Sequence, residues 1–123
     1  SVKIQIPWHL TLKNRACLGE KVNAYSLGKI EVQETATVAQ ESYLCSGTHD
    51  FATDSMQLVT DKITIGKNAF LGVRVLILPG VTIGENAIIG AQSVITKDVP
   101  ANDIFSFFSA RKIGVRKTSK CIL

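Results

Sequence analysis

The chain reads as an all-β solenoid, in which short strands wind into stacked, three-sided coils. Three observations carry this. From Ile65 onward an aliphatic recurs at a strict spacing of six: Ile65, Leu71, Ile77, Ile83, Ile89 and Ile95. Four places after each stands a small or β-branched residue: Ala69, Val75, Val81, Ala87, Ser93 and Val99. An earlier run, Ile6, Leu12, Leu18, Ala24, then Val32, Val38 and Leu44, keeps the same spacing apart from one longer step. An amphipathic helix places apolar residues at i, i+3, i+4 and i+7, and a lone strand alternates with period two, so neither fits.

Each hexad lays down one flat side, and three hexads close a triangular turn. Coils then stack at strand spacing, roughly 4.8 Å. The aliphatic at i points into the prism, and the residue at i+4 sits near a corner with little room. Gly66, Gly72, Gly84 and Gly90 at i+1, with Asn68, Gly80 and Asn86 at i+3, tolerate positive φ or close backbone approach. The count predicts about four coils, over residues 6–49 and 63–100, with a tail over 101–123, in a single domain of 1–123. Two irregularities interrupt the rhythm. The step from Ala24 to Glu31 is eight residues long, predicting a small bulge at Tyr25, Ser26, Leu27 and Gly28. A larger excursion runs from His49 to about Lys62, and rigid solenoids carry binding chemistry on such insertions.

Composition agrees. The hydrophobic fraction of 46% fills a thin core, and aromatics at 7% are few because a narrow prism has no room for rings. No run of about 18 apolar residues occurs, so no membrane insertion is expected. No charged start leads into an apolar stretch, so a cytoplasmic setting is expected. Three cysteines, Cys17, Cys45 and Cys121, lack CxxC spacing, which suits a reducing compartment and predicts no metal site. Cys17 and Cys45 are expected to pack structurally. Net charge is +4, with Arg111, Lys112, Arg116, Lys117 and Lys120 in the tail, leaving nine basic residues against ten acids elsewhere. A basic tail on a neutral body predicts one local anionic partner and no nucleic acid.

The segment Tyr43-Leu44-Cys45-Ser46-Gly47-Thr48-His49-Asp50 carries a histidine–aspartate pair at the mouth of the excursion. With Pro7-Trp8, Pro79 to Gly84 and Gly90 to Pro100, it resembles the hexapeptide-repeat acetyltransferases of the colanic-acid and maltose/galactoside type. That resemblance implies a left-handed parallel β-helix, an exception to the usual hand of parallel crossovers. It implies acetyl-CoA as acyl donor and a hydroxyl of a sugar or polysaccharide precursor as acceptor. His49 would be the general base, since imidazole titrates near neutrality and a sugar hydroxyl is a poor nucleophile. Asp50 or Asp54 would orient the imidazole, and Ser26 and Asp50 would lie near the acceptor. Gly72, Val73, Ala91, Thr96, Lys97 and Arg111 would line the acetyl-CoA groove, with Lys97 and Arg111 toward its phosphates. The resemblance also implies a homotrimer with active sites between subunits. His9 matches no functional position and is expected to be structural.

One departure stands out. Where that type reads Gly-Asn-Pro-Ala, this chain reads Phe107-Phe108-Ser109-Ala110. A non-catalytic β-helix module is therefore the alternative reading. A γ-class carbonic anhydrase would need three histidines around zinc, and only His9 and His49 are present.

Overall fold

The computed structural model describes residues 1–107 and 110–117. The chain winds through five coils, one more than the repeat count predicts. Coil one holds β1 (Lys3–Ile4), a 3-10 turn (Pro7–His9), β2 (Leu10–Leu12) and β3 (Cys17–Leu18). Coil two holds β4 (Asn23–Tyr25), β5 (Ile30–Val32) and β6 (Thr37–Val38). Coil three holds β7 (Tyr43–Cys45), a hairpin of β8 (Gly47–His49) and β9 (Leu58–Thr60), then β10 (Ile63–Ile65) and β11 (Phe70–Leu71). Coil four holds β12 (Leu76–Ile77), β13 (Thr82–Ile83) and β14 (Ile88–Ile89). Coil five holds β15 (Val94–Ile95) and β16 (Asp103–Ser106), and β17 (Arg111–Val115) folds back antiparallel on β16.

Strands of successive coils pair in parallel to give the three walls of a left-handed β-helix. Sheet A is β1-β4-β7-β12-β15, sheet B is β2-β5-β10-β13, and sheet C is β3-β6-β11-β14-β16-β17. The register stacks like positions: Ile4, Ala24 and Leu44, then Ile77 and Ile95, run up the inside of sheet A. Burial of the aliphatic at each hexad start is complete or nearly so from Ala24 to Ile95, which removes about 1.5–3 kcal/mol of apolar exposure per large side chain.

The corners explain the rest of the hexad. In the regular hexads the i+3 residue is left-handed: Arg15, Lys21, Thr35, Glu41, Asn68, Arg74, Asn86, Gln92 and Asn102 have φ of 57–67°, and Gly80 has φ 84°. Only a few of these are the Asn or Gly expected there. The stacking imposes the conformation and supplies a carbonyl partner for eight of these ten amides, all but Arg15 and Gly80. The N–H of Asn68 donates to the Glu34 carbonyl one coil below, Asn86 to Lys67, and Asn102 to Glu85. The i+1 glycines serve close approach: a Cβ on Gly66 would stand 2.6 Å from the Ile83 carbonyl oxygen.

Four expectations need correction. Ile4, rather than Ile6, is the inward residue of coil one, because Ile4 pairs with Ala24; Ile6 lies at a corner. Val99 takes an inward position opposite Ile83 instead of a corner, because the step after Ile95 is two residues short. Residues 101–107 and 110–117 are less of a tail than expected, since they finish coil five and add β17. Cys17 is exposed and Cys45 half-buried on outer strand faces, so neither packs in the core. Cys121 and Lys120 lie outside the described residues.

Candidate functional site

The edge where sheet A passes to sheet B departs from the hexad in the first three coils. The step is eight residues from Ile4 to Leu12 and from Ala24 to Val32, and twenty-one from Leu44 to Ile65. The extra residues form three stacked corners tied by buried serines. Ser26 is fully buried; its hydroxyl accepts from the Ile6 N–H and donates to the Ile6 carbonyl, each at 3.0 Å. Ser46, also fully buried, accepts from the Gly28 N–H at 3.0 Å and donates to the Tyr25 or Gly28 carbonyl. Gly47 leaves little space for a side chain, since a Cβ there would stand 3.1 Å from the Leu27 side chain. Ser46 thus roots the hairpin, a role that the hexad pattern does not signal.

That hairpin presents His49. Gly47, Thr48 and His49 pair with Thr60, Val59 and Leu58. The imidazole Nδ1 lies 2.8 Å from the Met56 carbonyl oxygen. A carbonyl only accepts, so Nδ1 carries a proton, and in the neutral ring Nε2 keeps its lone pair. Met56 is held at φ 47°, an uncommon conformation for a side-chain-bearing residue, and its carbonyl is thereby aimed at the ring. No sequence motif could announce this contact, because the orienting group is a backbone atom.

This arrangement corrects two expected roles. The Met56 carbonyl, rather than Asp50 or Asp54, orients the imidazole. The Asp50 carboxylate instead accepts from the Ala52 N–H at 2.9 Å and shapes the loop tip. The Ser26 hydroxyl is fully buried and its proton is given to the Ile6 carbonyl, so it does not face an acceptor.

Five of the six residues expected along the cofactor groove fall on two different edges, and the sixth, Arg111, begins β17. Gly72, Val73 and Ala91 lie where sheet C passes to sheet A. They stack directly: a Cβ on Gly72 would stand 2.8 Å from the Ala91 nitrogen. Thr96 and Lys97 lie on the same edge as His49, two coils above it, and are exposed. They line a hollow of about 100 Å³ with Ile95, Phe105 and Ala110. Arg111 follows Ala110, and its guanidinium lies 5.3 Å from the Phe107 ring centroid. Phe107 has φ 87°, a glycine-like conformation, at the place where the resemblance drawn from the sequence implies Gly. Phe108 and Ser109 lie outside the described residues.

The basic tail is partly consumed internally. Lys112 pairs with Asp103 at 3.4 Å, and Arg116 Nη1 donates to the Asn68 and Asn86 carbonyls at 2.9 and 3.3 Å. The outer face of sheet A, between the two candidate edges, is half-buried and largely apolar, with Tyr25, Tyr43, Leu76 and Val94. Burial pushes the Tyr43 phenol up, with Cys45 and Tyr25 adding to the shift. The hairpin exposes Phe51, Met56, Leu58 and Val59.

Residues 62–97 match the family described as bacterial transferase hexapeptide (six repeats). Over 102 residues the chain is 43% identical to WcaF of Escherichia coli K12, to which a colanic acid biosynthesis acetyltransferase role is attributed. The same identity holds for its Shigella flexneri counterpart. That alignment takes in 83% of this chain, and the chain spans 56% of the relative's length. A galactoside acetyltransferase solved in complex with coenzyme A superposes with a TM-score of 0.89 at 25% identity, over 94% of this chain and 60% of that one. A maltose O-acetyltransferase from Clostridium difficile 630 shares the fold with a TM-score of 0.88 at 24% identity, over 95% and 64%. The chain is therefore a hexapeptide-repeat β-helix similar to the colanic-acid and maltose/galactoside acetyltransferases.

Proposed function

We propose that this chain transfers an acetyl group from acetyl-CoA to a hydroxyl of a sugar or polysaccharide precursor, with His49 as general base. The observation that carries the reading is the imidazole itself. It is exposed at the loop end of the β8–β9 hairpin, its Nδ1–H is committed to the Met56 carbonyl, and in the neutral ring its Nε2 is left to accept a proton. The acceptor hydroxyl loses its proton to Nε2 as its oxygen attacks the thioester carbonyl. The C–S bond then breaks and CoA leaves as the thiolate, which takes up a proton. Transfer is direct, so no enzyme nucleophile is required.

The split of the cofactor residues supports a shared site. The edge of Gly72, Val73 and Ala91 and the edge of His49, Thr96 and Lys97 are separated by the width of sheet A. One long thioester reaches both most readily where the edge of one prism lies beside the other edge of a second. A homotrimer closes that heterologous contact into a ring. The apolar outer face of sheet A and the apolar hairpin residues suit such packing. Lys97 and Arg111 would meet the CoA phosphates, and a cytoplasmic location supplies the thioester.

A thiol-release assay with acetyl-CoA over a panel of sugar acceptors, run beside light scattering, tests the reading. Acceptor-dependent CoA release by a trimer is expected. A monomer at micromolar concentration sinks the shared site, and absence of acceptor-dependent release with every sugar favours the non-catalytic module.

A further inference from the structure

Apolar packing does little to hold β17. It is an edge strand with β16 as its one neighbour among the described strands, and its Ile113 and Val115 are each more than half exposed. A two-stranded pairing that buries so little is marginal by itself. Its register is also irregular. Asp103 and Ile104 pair with Val115 and Gly114, Phe105 and Ser106 pair with Lys112 and Arg111, and Ile113 is left over. Past that surplus residue only two pairs remain on the Arg111 side.

A polar clamp holds the strand instead. Where sheet B passes to sheet C, Asn68, Asn86 and Asn102 form left-handed corners stacked in coils three, four and five. The Arg116 N–H donates to the Asn102 carbonyl at 2.6 Å, and Nη1 donates to the Asn86 and Asn68 carbonyls at 3.3 and 2.9 Å. One residue thus bonds three successive coils. Two of those corners are themselves tied, since Asn68 Nδ2 donates to Asn86 Oδ1 at 2.8 Å. The guanidinium is given to backbone carbonyls, with Nε buried as well, so it serves as an anchor rather than as a phosphate ligand. Lys112 adds a second hold through the buried Asp103 carboxylate at 3.4 Å.

The opposite end of β17 lies on the cofactor edge. Register places Leu71, Ile89, Phe105 and Lys112 in one row, so Gly72, Gly90, Ser106 and Arg111 form the adjoining one. The Gly90 N–H donates to the Phe105 carbonyl at 2.8 Å, as that stacking requires. Arg111 therefore stands at the end of the row that starts at Gly72, where sheet C passes to sheet A. β17 bridges that edge and the asparagine corners with five residues, about 17 Å. We propose that Arg116 is a positioning residue: it pins the far end of β17 so that Arg111 is held at the cofactor edge, where the CoA phosphates would meet it. This rests on the acetyl-CoA reading of Arg111, but the pinning itself can be measured without any ligand.

Arg116→Ala and Arg116→Lys are compared with the parent, alone and combined with Arg111→Ala. The measurements are calorimetry with acetyl-CoA, thiol release, and timed trypsin cleavage after Lys112. Arg116→Ala should weaken acetyl-CoA binding at least about threefold, a share of what a charge-assisted phosphate contact contributes. Turnover at saturating acetyl-CoA should stay within about twofold of the parent. Arg116→Lys, which keeps the charge but offers one nitrogen to two carbonyls, should lie between. In the Arg111→Ala background, Arg116→Ala should add no further loss, because nothing is left to position. Trypsin should cut after Lys112 several-fold faster in Arg116→Ala, with the rest of the chain still protected. Unchanged affinity, unchanged cleavage, or a loss that adds in full to that of Arg111→Ala each overturns the assignment. Cleavage spread over the whole chain also overturns it, by making Arg116 a residue of the fold at large. Binding of acetyl-CoA that depends on Arg116, with no transfer to any sugar, refutes the acetyltransferase reading and leaves the assignment standing. Transfer with an affinity indifferent to Arg116 does the reverse, and a parent that binds no acetyl-CoA refutes both.

Discussion

Replacement of His49 by Asn separates the two jobs of the imidazole. Asparagine Nδ2 superposes on histidine Nδ1, so the 2.8 Å hydrogen bond to the Met56 carbonyl can persist. Nothing replaces Nε2. A positioned base contributes about 10²–10⁴-fold, or roughly 2.7–5.4 kcal/mol of barrier. His49→Asn should lower acceptor-dependent CoA release by that factor while leaving the KM for acetyl-CoA and the urea midpoint close to the parent's. His49→Ala should show the same loss of rate. It should also lose stability at the low end of the hydrogen-bond scale, about 0.5 kcal/mol, because the contact is exposed. The assay is thiol release over a range of acetyl-CoA concentrations, with urea titration of each variant. Turnover of His49→Asn within about threefold of the parent would refute the base assignment. A loss of rate accompanied by a comparable rise in the KM for acetyl-CoA would instead make His49 a binding residue.

Three further outcomes follow from the same geometry. The pair Lys97→Ala with Arg111→Ala should raise the KM for acetyl-CoA at least about tenfold, since charge-assisted contacts to phosphate are worth about 1.5–3 kcal/mol. The effect should shrink at high salt and be absent for an acetyl thioester lacking the phosphates; an equal loss against both thioesters would reduce these residues to a folding role. Phe107→Gly should cost less than about 0.5 kcal/mol by urea titration although it deletes an aromatic ring, because relief of a strained φ offsets the lost contact to Arg111. A clear destabilisation would mean that the ring holds the end of the solenoid. Glu31 is held below the usual carboxylate range by the Gln33 amide at 2.8 Å, helped by Lys62. Its folded value lies below its unfolded one, so its contribution is present above the ordinary carboxylate value and is lost as pH falls through the lowered one. Glu31→Gln should therefore flatten the acid limb of the urea midpoint against pH, and an unchanged limb would refute the linkage.

The hexad spacing alone determines the solenoid, because an inward position every sixth residue leaves one geometry in which all those aliphatics are buried together. It also locates the excursion and the histidine at its mouth. It misjudges coil one and coil five for a physical reason. At the ends of a stack a coil has a neighbour on one side only, so Ile6 could pass for an inward residue in place of Ile4. Val99 could likewise pass for a corner residue, because no rule of spacing forbids a step two residues short. Left-handed corners at Lys21, Thr35 and Glu41 leave no trace in residue type, because the amide ladder between coils enforces them. Only the tertiary structure decides that Ser26 is a buried staple, that the Met56 carbonyl orients the His49 ring, and that the Ser26 carbonyl holds the His9 ring. Each of these depends on a backbone atom brought from another stretch of chain, and a backbone atom is the same whatever residue bears it.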